Sequence, residues 1–503
     1  MITRRCFLFL QFIFLFFVSL AQAKERPNIV FLLADDQSTY TVGCYGNKDV
    51  QTPHMDKLGA DGMIFDRHYD TTAICMASRA NIMTGNFEYR TGTNFEHGHM
   101  LKETWKQTYP MLLRKAGYVT GFAGKFGFEV AEEPDSKGML PEEDFDRWGG
   151  GPGQTSYATK KNKSMQAYAE KYPHATLSYG AFGQDFVRDY GKGDKPFCLS
   201  ISFKAPHMPA TPDPRFDHVY KGKKFKKPEN YGRQAGAHFS RQSQMGRQYE
   251  RFESWGYKDK YDKVMATYNQ QIYAIDVALG MIRDALKEHG VDENTVIIYT
   301  SDNGFFCGSH GYGSKVLPYE ESSRVPMIMF DPRHKNSGKG LRSSSLTGNV
   351  DFLPTILELA GVKSPKAIDG KSLLPLYDNP SAKGHDALPL INVWGPKQVH
   401  SFGVVTPDWK YIYWPYAGED FKAAEEMYQV VSDSMELSDL SKDPNYGNDR
   451  RNMRRLYDRW VKDWNKRSVD YHKYPQYGEI FDRKVDWEKK ADLYEGMSKR
   501  RKK

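Results

Sequence analysis

Short apolar runs alternate with amphipathic stretches along residues 24–385 of the chain. Asn28–Ala34 and Thr295–Ser301 are continuous apolar runs rich in β-branched residues, a pattern that predicts buried strands. Further strands are predicted at 118–123 and 197–203, and helices at 55–61, 105–116 and 351–360. A long amphipathic helix is predicted where apolar residues recur at alternating steps of three and four: Met265, Tyr268, Ile272, Ile275, Leu279, Ile282 and Leu286. This alternation predicts an α/β fold, with a large and mostly parallel sheet flanked by helices on both faces.

The hydrophobic pattern changes after residue 385. Short apolar segments separated by Gly, Pro and Asp turns predict a small antiparallel sheet over 390–393, 402–405 and 411–414. A helical stripe that could cover one face of this sheet follows: Met453, Leu456, Tyr457, Trp460, Val461 and Trp464. We therefore divide the chain into a large domain over 24–385, a C-terminal α+β subdomain over 386–485 and a charged tail over 486–503.

The N-terminus has the pattern of a secretory signal peptide over residues 1–23. Arg4 and Arg5 precede an almost entirely apolar run over 6–20, which Ala21-Gln22-Ala23 closes. A membrane anchor is the alternative, but the run is short for a span and its small-residue end favours cleavage. No later segment resembles a transmembrane helix. We therefore expect an exported protein, periplasmic or extracellular, without a stable membrane span.

Composition and charge exclude several classes of protein. With 503 residues, of which 39% are hydrophobic and 27% charged, the chain is neither disordered nor collagen-like. The formal net charge of +8 is a mild excess for this length and does not indicate a nucleic-acid partner. The cysteines beyond the signal peptide are too scattered for a disulfide framework, although a pairing of Cys44 with Cys198 or Cys307 stays open.

Polar side chains follow two of the predicted strands at the point where each strand ends. Asp35-Asp36 come directly after Asn28–Ala34, and Asp302-Asn303 come directly after Thr295–Ser301. Ligand sites of parallel sheets lie at the carboxyl ends of strands, so these four side chains could meet at one edge. Three carboxylates and one amide suit Ca²⁺ best, with Mg²⁺ as the alternative.

The segment Cys75-Met76-Ala77-Ser78-Arg79, continued to Thr84-Gly85, resembles the C-x-[P/A]-S-R signature of the formylglycine-dependent (type I) sulfatases. Further motifs of that family are matched by Asp35-Asp36, Gly124-Lys125, Ala205-Pro206-His207-Met208-Pro209, Ser301-Asp302-Asn303-Gly304, Gly308-Ser309-His310-Gly311, Lys315 and the block 319–326. Together these motifs cover residues 27–380. The chain is thus similar to bacterial polysaccharide sulfatases of the alkaline-phosphatase-like superfamily, which implies the α/β sandwich of that superfamily.

The resemblance implies that a formylglycine-generating maturation enzyme oxidises Cys75 to the aldehyde Cα-formylglycine. The hydrated aldehyde is the implied nucleophile, with one hydroxyl bound to the metal. After sulfur transfer, deprotonation of the second hydroxyl would eject inorganic sulfate and regenerate the aldehyde. A serine would instead remain a stable sulfate ester. The implied Ca²⁺ ligands are Asp35, Asp36, position 75, Asp302 and Asn303.

The resemblance also implies roles for charged residues around the sulfate. Lys125 and Lys315 would share the neutralisation of the sulfuryl oxygens with Ca²⁺. Arg79 lies one helical turn after Cys75 and would hold the second hydroxyl. Protonation of the departing sugar oxygen would be the role of His207 or Lys315.

One position departs from the family pattern. The family's G-K-W-H has a histidine two residues after the lysine, and Gly127 stands there in this chain. His310 could replace that histidine as the partner of the formylglycine hydroxyl, and so could His97 or His99. The alternative is a catalytically impaired relative that binds polysaccharide.

The segment 206–260 is irregular and basic. It holds five lysines between Lys221 and Lys227, followed by arginines interleaved with aromatic residues: Arg233, Arg241, Arg247 and Arg251. This is either a solvated insertion or a flexible wall that contacts a polyanionic chain. We therefore expect an exported, Ca²⁺-dependent sulfatase that acts on a sulfated carbohydrate, with algal polysaccharides such as ulvan or carrageenan favoured by analogy. A phosphonate or phosphate monoester hydrolase of the same superfamily is the enzymatic alternative.

Overall fold

The central feature of the fold is one eight-stranded sheet. The computed structural model describes residues 26–499, so the predicted signal peptide lies outside the described residues. In spatial order the strands are Leu341–Ser343, Met63–Phe65, Met327–Phe330, Thr295–Ser301, Asn28–Ala34, Phe197–Ser202, Val119–Lys125 and Arg147–Gly151. The central strand Asn28–Ala34 runs parallel to both of its neighbours, whereas Met327–Phe330 is antiparallel to its own. The sheet is therefore mostly parallel, as the sequence predicts.

Helices cover both faces of this sheet because alternate residues of the buried strands point to opposite sides. Val30 and Leu32 belong to a core shared with the helices Ala175–Tyr190 and Tyr261–Glu288. Their neighbours in the strand belong to a second core, which is shared with the helices Cys75–Thr84, Tyr109–Lys115 and Phe352–Leu359. Two apolar layers thus enclose the sheet, which explains its continuous apolar strands.

The remaining elements are short. Two strand pairs join His68–Tyr69 to Thr347–Gly348 and Met100–Leu101 to Val130–Ala131. Short helices are Pro53–Asp61, Glu88–Thr91, Lys102–Trp105, Arg241–Gln244, Arg247–Ser254, Glu320–Ser323 and Leu374–Asp378. The single helix predicted over 105–116 is divided, because Pro110 lies in the first turn of Tyr109–Lys115, where its missing N–H costs no hydrogen bond.

A separate antiparallel sheet follows in the C-terminal part. Its strands are Leu388–Asn392, Ser401–Val405, Lys410–Trp414 and Ala424–Tyr428, paired in chain order. The helix Gly447–Arg467 buries the predicted stripe positions Met453, Tyr457, Val461 and Trp464 against this sheet. The predicted α+β character of this part is confirmed, and the exact boundary between the domains stays a prediction.

The C-terminal segment differs from the charged tail expected over 486–503. Trp487–Lys499 is a helix that follows the helix Tyr474–Ile480, and its Tyr494 and Met497 are buried. Apolar side chains spaced three apart let the helix pack despite its many charges. Within residues 26–499, no helix combines the length and apolar character needed to cross a bilayer. Each cysteine of this range is unpaired, so the Cys44 disulfide left open by the sequence does not form.

Candidate active site

Two polar pairs meet at the carboxyl end of the central strands. The last residues of the two strands pair in register, so Asp35-Asp36 and Asp302-Asn303 leave the sheet side by side. The backbone N–H of Asp36 donates to Asp302 Oδ1 at 3.2 Å, and Asn303 Nδ2 donates to Asp36 Oδ1 at 2.8 Å. All four side chains are buried. The side chains expected at one sheet edge are therefore in contact there.

Cys75 lies against these carboxylates at the first residue of the helix Cys75–Thr84. Its Sγ donates to Asp35 Oδ1 at 3.3 Å and accepts from Lys315 Nζ at 2.7 Å. Burial and the Asp35 carboxylate raise the pKa of the Cys75 thiol to about 12. Because the thiolate is the reactive form of cysteine, the unmodified side chain is a poor nucleophile at neutral pH.

Two lysines neutralise the first acidic pair. Lys125 Nζ donates to Asp35 Oδ2 at 2.6 Å, and Lys315 Nζ donates to Asp36 Oδ1. Burial opposes ionisation of Asp35, but the Lys125 ammonium outweighs it and holds the pKa of this carboxyl well below its usual range. At Asp36 burial prevails and raises the pKa. The two adjacent carboxyls thus differ in their affinity for a proton.

Arg79 forms an ion pair with Asp302, which follows the strand Thr295–Ser301. Its Nε and Nη2 both lie 2.8 Å from Asp302 Oδ2, and its Nη1 donates to the backbone carbonyl of Lys125 at 2.7 Å and to Ser202 Oγ. Burial raises the pKa of Asp302 to about 6, with a further rise from Asp35. Within residues 26–499 no hydrogen bond joins Arg79 to Cys75. The guanidinium instead holds the Asp302 carboxylate in place.

Gly127 explains this orientation of Arg79. Its φ of +94° is in the left-handed region that favours glycine, and a Cβ added there would lie 2.3 Å from Arg79 Cδ. The space that a histidine would enter is therefore occupied by the arginine side chain. The absence of a side chain at position 127 therefore leaves the room in which the Arg79 side chain packs.

The other candidate histidines contact groups outside the acidic cluster. His310 Nε2 lies 3.0 Å from Asn230 Nδ2, and its ring centroid is 4.5 Å from that of Phe239. His97 Nε2 bonds to the Val393 carbonyl at 2.9 Å, and His99 Nε2 lies 3.6 Å from Glu129 Oε2. Within the part of the chain that the structure describes, none of these rings contacts the Cys75 thiol. Neighbouring polar and aromatic groups hold the His310 ring, and its replacement of the family histidine stays a prediction.

The oxygen-rich cluster fits a hard divalent cation. Ligand atoms of Asp35, Asp36, Cys75 and His207 all lie within 4.8 Å of one another. The Asn303 Oδ1 atom is buried and has no hydrogen-bond partner within residues 26–499. A buried amide oxygen without a donor is costly unless something positive faces it, and oxygen donors are those that Ca²⁺ and Mg²⁺ prefer. The residues present therefore suit such an ion.

Sequence reasoning missed some groups near the cluster. Trp394 comes from the C-terminal part and packs against the apolar cluster of Ile74, Ala77 and Val316, which lie close to Cys75 and Lys315 in the chain. No local pattern marks it, because only the fold brings it there. Lys204 Nζ donates to the Gln154 carbonyl at 2.9 Å, and burial lowers its pKa. Lys204 lies two residues before Pro206 of the Pro-His motif, and this position could have marked it as a residue near the site.

Family comparison agrees with this geometry. A model of the family described as "Sulfatase" matches residues 27–362, and one described as "N-sulphoglucosamine sulphohydrolase, C-terminal" matches residues 308–463. The chain therefore belongs to the sulfatase family and is a sulfuric ester hydrolase with the alkaline-phosphatase-like fold.

Individual relatives refine this placement. An N-acetylglucosamine-6-O-sulfatase of Bacteroides thetaiotaomicron is 28% identical over 516 residues, covering 89% of this chain and 88% of its own. A solved structure in complex with its substrate D-glucosamine-2-N,6-O-disulfate is 27% identical, with a TM-score of 0.72 and coverage of 89% and 99%. A phosphonate monoester hydrolase of Agrobacterium radiobacter, 19% identical with a TM-score of 0.67 and coverage of 86% and 94%, shares the fold.

Proposed function

We propose that this protein is an exported, formylglycine-dependent sulfatase that hydrolyses sulfate esters of a sulfated carbohydrate with the help of Ca²⁺. The observation that carries the proposal is the position of Cys75, 3.3 Å from Asp35 Oδ1 and 2.7 Å from Lys315 Nζ, beside an oxygen-rich cluster. A thiol with a pKa of about 12 has little use as a nucleophile there, which supports its conversion to another group.

The side chains around position 75 can support this chemistry. In the proposal, Cys75 Sγ stands in for a hydroxyl oxygen of the hydrated formylglycine, and Asp35, Asp36, Asp302 and Asn303 would hold the cation. When formed and bound, these groups supply a nucleophile and a positive charge for the sulfuryl oxygens. The lysine ammonium groups paired with the first two carboxylates add positive charge on the same side.

We assign protonation of the leaving sugar oxygen to His207. Its Nε2 lies 3.8 Å from Asp36 Oδ2, and its side chain is 22% exposed. Lys315, the other candidate, is 6% exposed and donates to both Asp36 and Cys75. A sugar leaves on the solvent side of the site, so the more exposed imidazole is the better placed group. Burial lowers the pKa of His207, and binding of the anionic sulfate beside it would have to raise that pKa for the imidazole to donate a proton.

Among sulfated carbohydrates, we propose sulfated glucosamine units as the substrates to test first. The support is that the N-acetylglucosamine-6-O-sulfatase and the structure solved with D-glucosamine-2-N,6-O-disulfate each match 89% of this chain, whereas the N-acetylgalactosamine-6-sulfatases of rat and human, at 27% identity, match 70–71%. The algal polysaccharides ulvan and carrageenan remain the second group, since analogy alone favours them. The scissile sulfate would belong to a polysaccharide or to oligosaccharides cut from it.

Maturation requires access to a residue that the folded chain encloses. Cys75 is 1% exposed, so the formylglycine-generating enzyme would have to act before the chain closes around it. We also propose that the segment 1–23 directs export. The chain would then comprise a catalytic domain over 24–385 and a subdomain over 386–485.

The test combines mass spectrometry with an assay of sulfate release. Protein from a host with a maturation enzyme should yield a Cys75 peptide that carries formylglycine and should release sulfate from glucosamine 6-sulfate. Cys75→Ala should release none, whereas the matched control Cys44→Ala, which alters a thiol away from the cluster, should keep the wild-type rate. An unmodified thiol in an active enzyme would refute the proposal. A large preference for an aryl phosphate over an aryl sulfate would favour the phosphate or phosphonate hydrolase instead.

A further inference from the structure

Two arginines stand near the reactive site without acidic partners. Arg247 is the first residue of the helix Arg247–Ser254, and Arg251 follows one turn later on the same face. Within residues 26–499, neither forms an ion pair with a carboxylate; Arg247 is exposed and Arg251 is half-buried. Like charges at this spacing repel each other. Burial lowers the pKa of both, and the neighbouring Arg247 helps to lower that of Arg251 to about 10.

Arg247 is tied to the reactive residue through an aromatic ring. Its guanidinium lies 4.1 Å from the ring centroid of Trp394. The same indole packs against the apolar cluster of Ile74, Ala77 and Val316, residues that lie close to Cys75 and Lys315 in the chain. A planar guanidinium held over an indole keeps its N–H groups free at its edge, where they can bind a planar or tetrahedral anion. The cation and the ring thus form one wall beside Cys75.

Arg251 is linked to Lys315, whose ammonium group contacts Cys75, through the neighbouring Ser314. Its Nη1 donates to Ser314 Oγ at 2.7 Å, and Ser314 directly precedes Lys315. Its guanidinium lies 4.2 Å from the ring centroid of Trp255. One hydroxyl and one ring hold the side chain in place, and the Asp36 carboxylate acts on its charge only from beyond ion-pair distance. Both arginines are therefore positioned by direct neighbours of the reactive groups.

Some of the other basic residues in the segment 206–260 pair with carboxylates, whereas Lys221, Lys226 and Lys227 are exposed and form no ion pair within residues 26–499. Lys224 Nζ lies 3.0 Å from Asp262 Oδ2, and Arg241 Nη1 lies 2.6 Å from Asp420 Oδ2. These residues agree with the solvated reading of the segment. Arg247 and Arg251 also have no ion pair, but they differ from the exposed lysines because their guanidinium groups lie over Trp394 and Trp255 beside the reactive site.

The charges at the centre of the site already balance among themselves. Three carboxylates are matched by three cations there: Asp35, Asp36 and Asp302 by Lys125, Lys315 and Arg79. The two arginines are an excess outside this balanced set. Because Arg247 is exposed and Arg251 is half-buried, an anion from solvent can reach both guanidinium groups.

We infer that Arg247 and Arg251 form a second anion subsite next to the scissile sulfate, with Trp394 as an apolar platform for the sugar ring. The substrate therefore carries a second anionic group, a sulfate or a carboxylate, on the same or the adjoining sugar. This inference rests on the proposed function, since it specifies the substrate of the same site. Arginine suits both anions because its fork of N–H donors bonds either one bidentately.

A binding measurement on an inactive variant tests the second subsite independently of sulfate hydrolysis. Calorimetry on Cys75→Ala with Ca²⁺ present would compare glucosamine 6-sulfate, glucosamine-2-N,6-O-disulfate and a disaccharide that joins glucosamine 6-sulfate to a uronic acid. We expect one of the two dianionic probes to bind about tenfold more tightly than the monosulfate, as for a charge-assisted contact. Adding Arg247→Gln, or separately Arg251→Gln, should bring that ratio close to one. The matched control Arg241→Gln should leave the ratio as it was.

The outcomes are distinct. A ratio near one in the Cys75→Ala parent, or equal effects of Arg247→Gln and Arg241→Gln in correctly folded proteins, overturns the second subsite. The better dianionic probe identifies the anion as sulfate or carboxylate. With matured enzyme, release of sulfate from none of the three probes would refute glucosamine sulfates as the proposed substrates, while the binding ratio would still decide the subsite. Thermal unfolding of each variant shows whether it is folded.

Discussion

Replacing Gly127 by alanine tests whether the arrangement of Arg79 depends on the absence of a side chain there. The added Cβ would lie 2.3 Å from Arg79 Cδ, and the φ of +94° disfavours any residue with a Cβ. The arginine would have to withdraw from Asp302, where two of its nitrogens lie 2.8 Å from Oδ2.

The size of the effect follows from these two terms. A left-handed conformation costs a non-glycine residue about 1 kcal/mol. Separating a fully buried ion pair costs about 3–5 kcal/mol, because each charge is left without its partner. Gly127→Ala should therefore lower the free energy of unfolding by about 4–6 kcal/mol. Activity should fall at least tenfold, because Asp302 would no longer be held in place.

Gly117 provides the matched control. Its φ is +89°, but nothing lies within 4 Å of an added Cβ. Gly117→Ala should therefore cost only the backbone term of about 1 kcal/mol and keep full activity. Chemical unfolding and sulfate release, measured on both variants, give the comparison. Equal stability losses and equal activities would refute the packing argument, and so would a gain of activity on restoring the family residue with Gly127→His.

Two other substitutions test the site and the fold. Asn303→Ala removes the buried Oδ1 that has no hydrogen-bond partner within residues 26–499, so we expect the affinity for Ca²⁺ in calorimetry to fall at least tenfold; an unchanged affinity would place the cation elsewhere. Asp276 accepts the backbone N–H groups of His54 and Met55, and burial raises its pKa from 3.8 to about 7. The native state thus binds a proton that the unfolded state has lost, and stability should fall as pH rises through this window, by about 3 kcal/mol between pH 5 and pH 8. Asp276→Asn should reduce that slope in chemical unfolding; the same slope in variant and wild type would contradict the assignment.

The amino-acid sequence by itself determined the features that depend on local pattern. The apolar run Asn28–Ala34 indicated a buried strand, and the carboxyl ends of parallel strands share one edge, so two short segments were enough to predict that Asp36 could meet Asp302. The signature that begins at Cys75 identified the family in the same local way. These predictions succeeded because strand burial and motif spacing are read over a few residues.

Tertiary structure alone decided which distant groups touch. Lys315 reaches the thiol of Cys75, whereas His310 is held by other partners, although both lie in one stretch of chain. The exclusion of a side chain at position 127 arises from a backbone angle and from the path of Arg79, and neither can be read from composition or spacing. The physical reason is that contacts between elements depend on the packing of whole layers, in which shifts of an ångström determine whether two groups bond or clash.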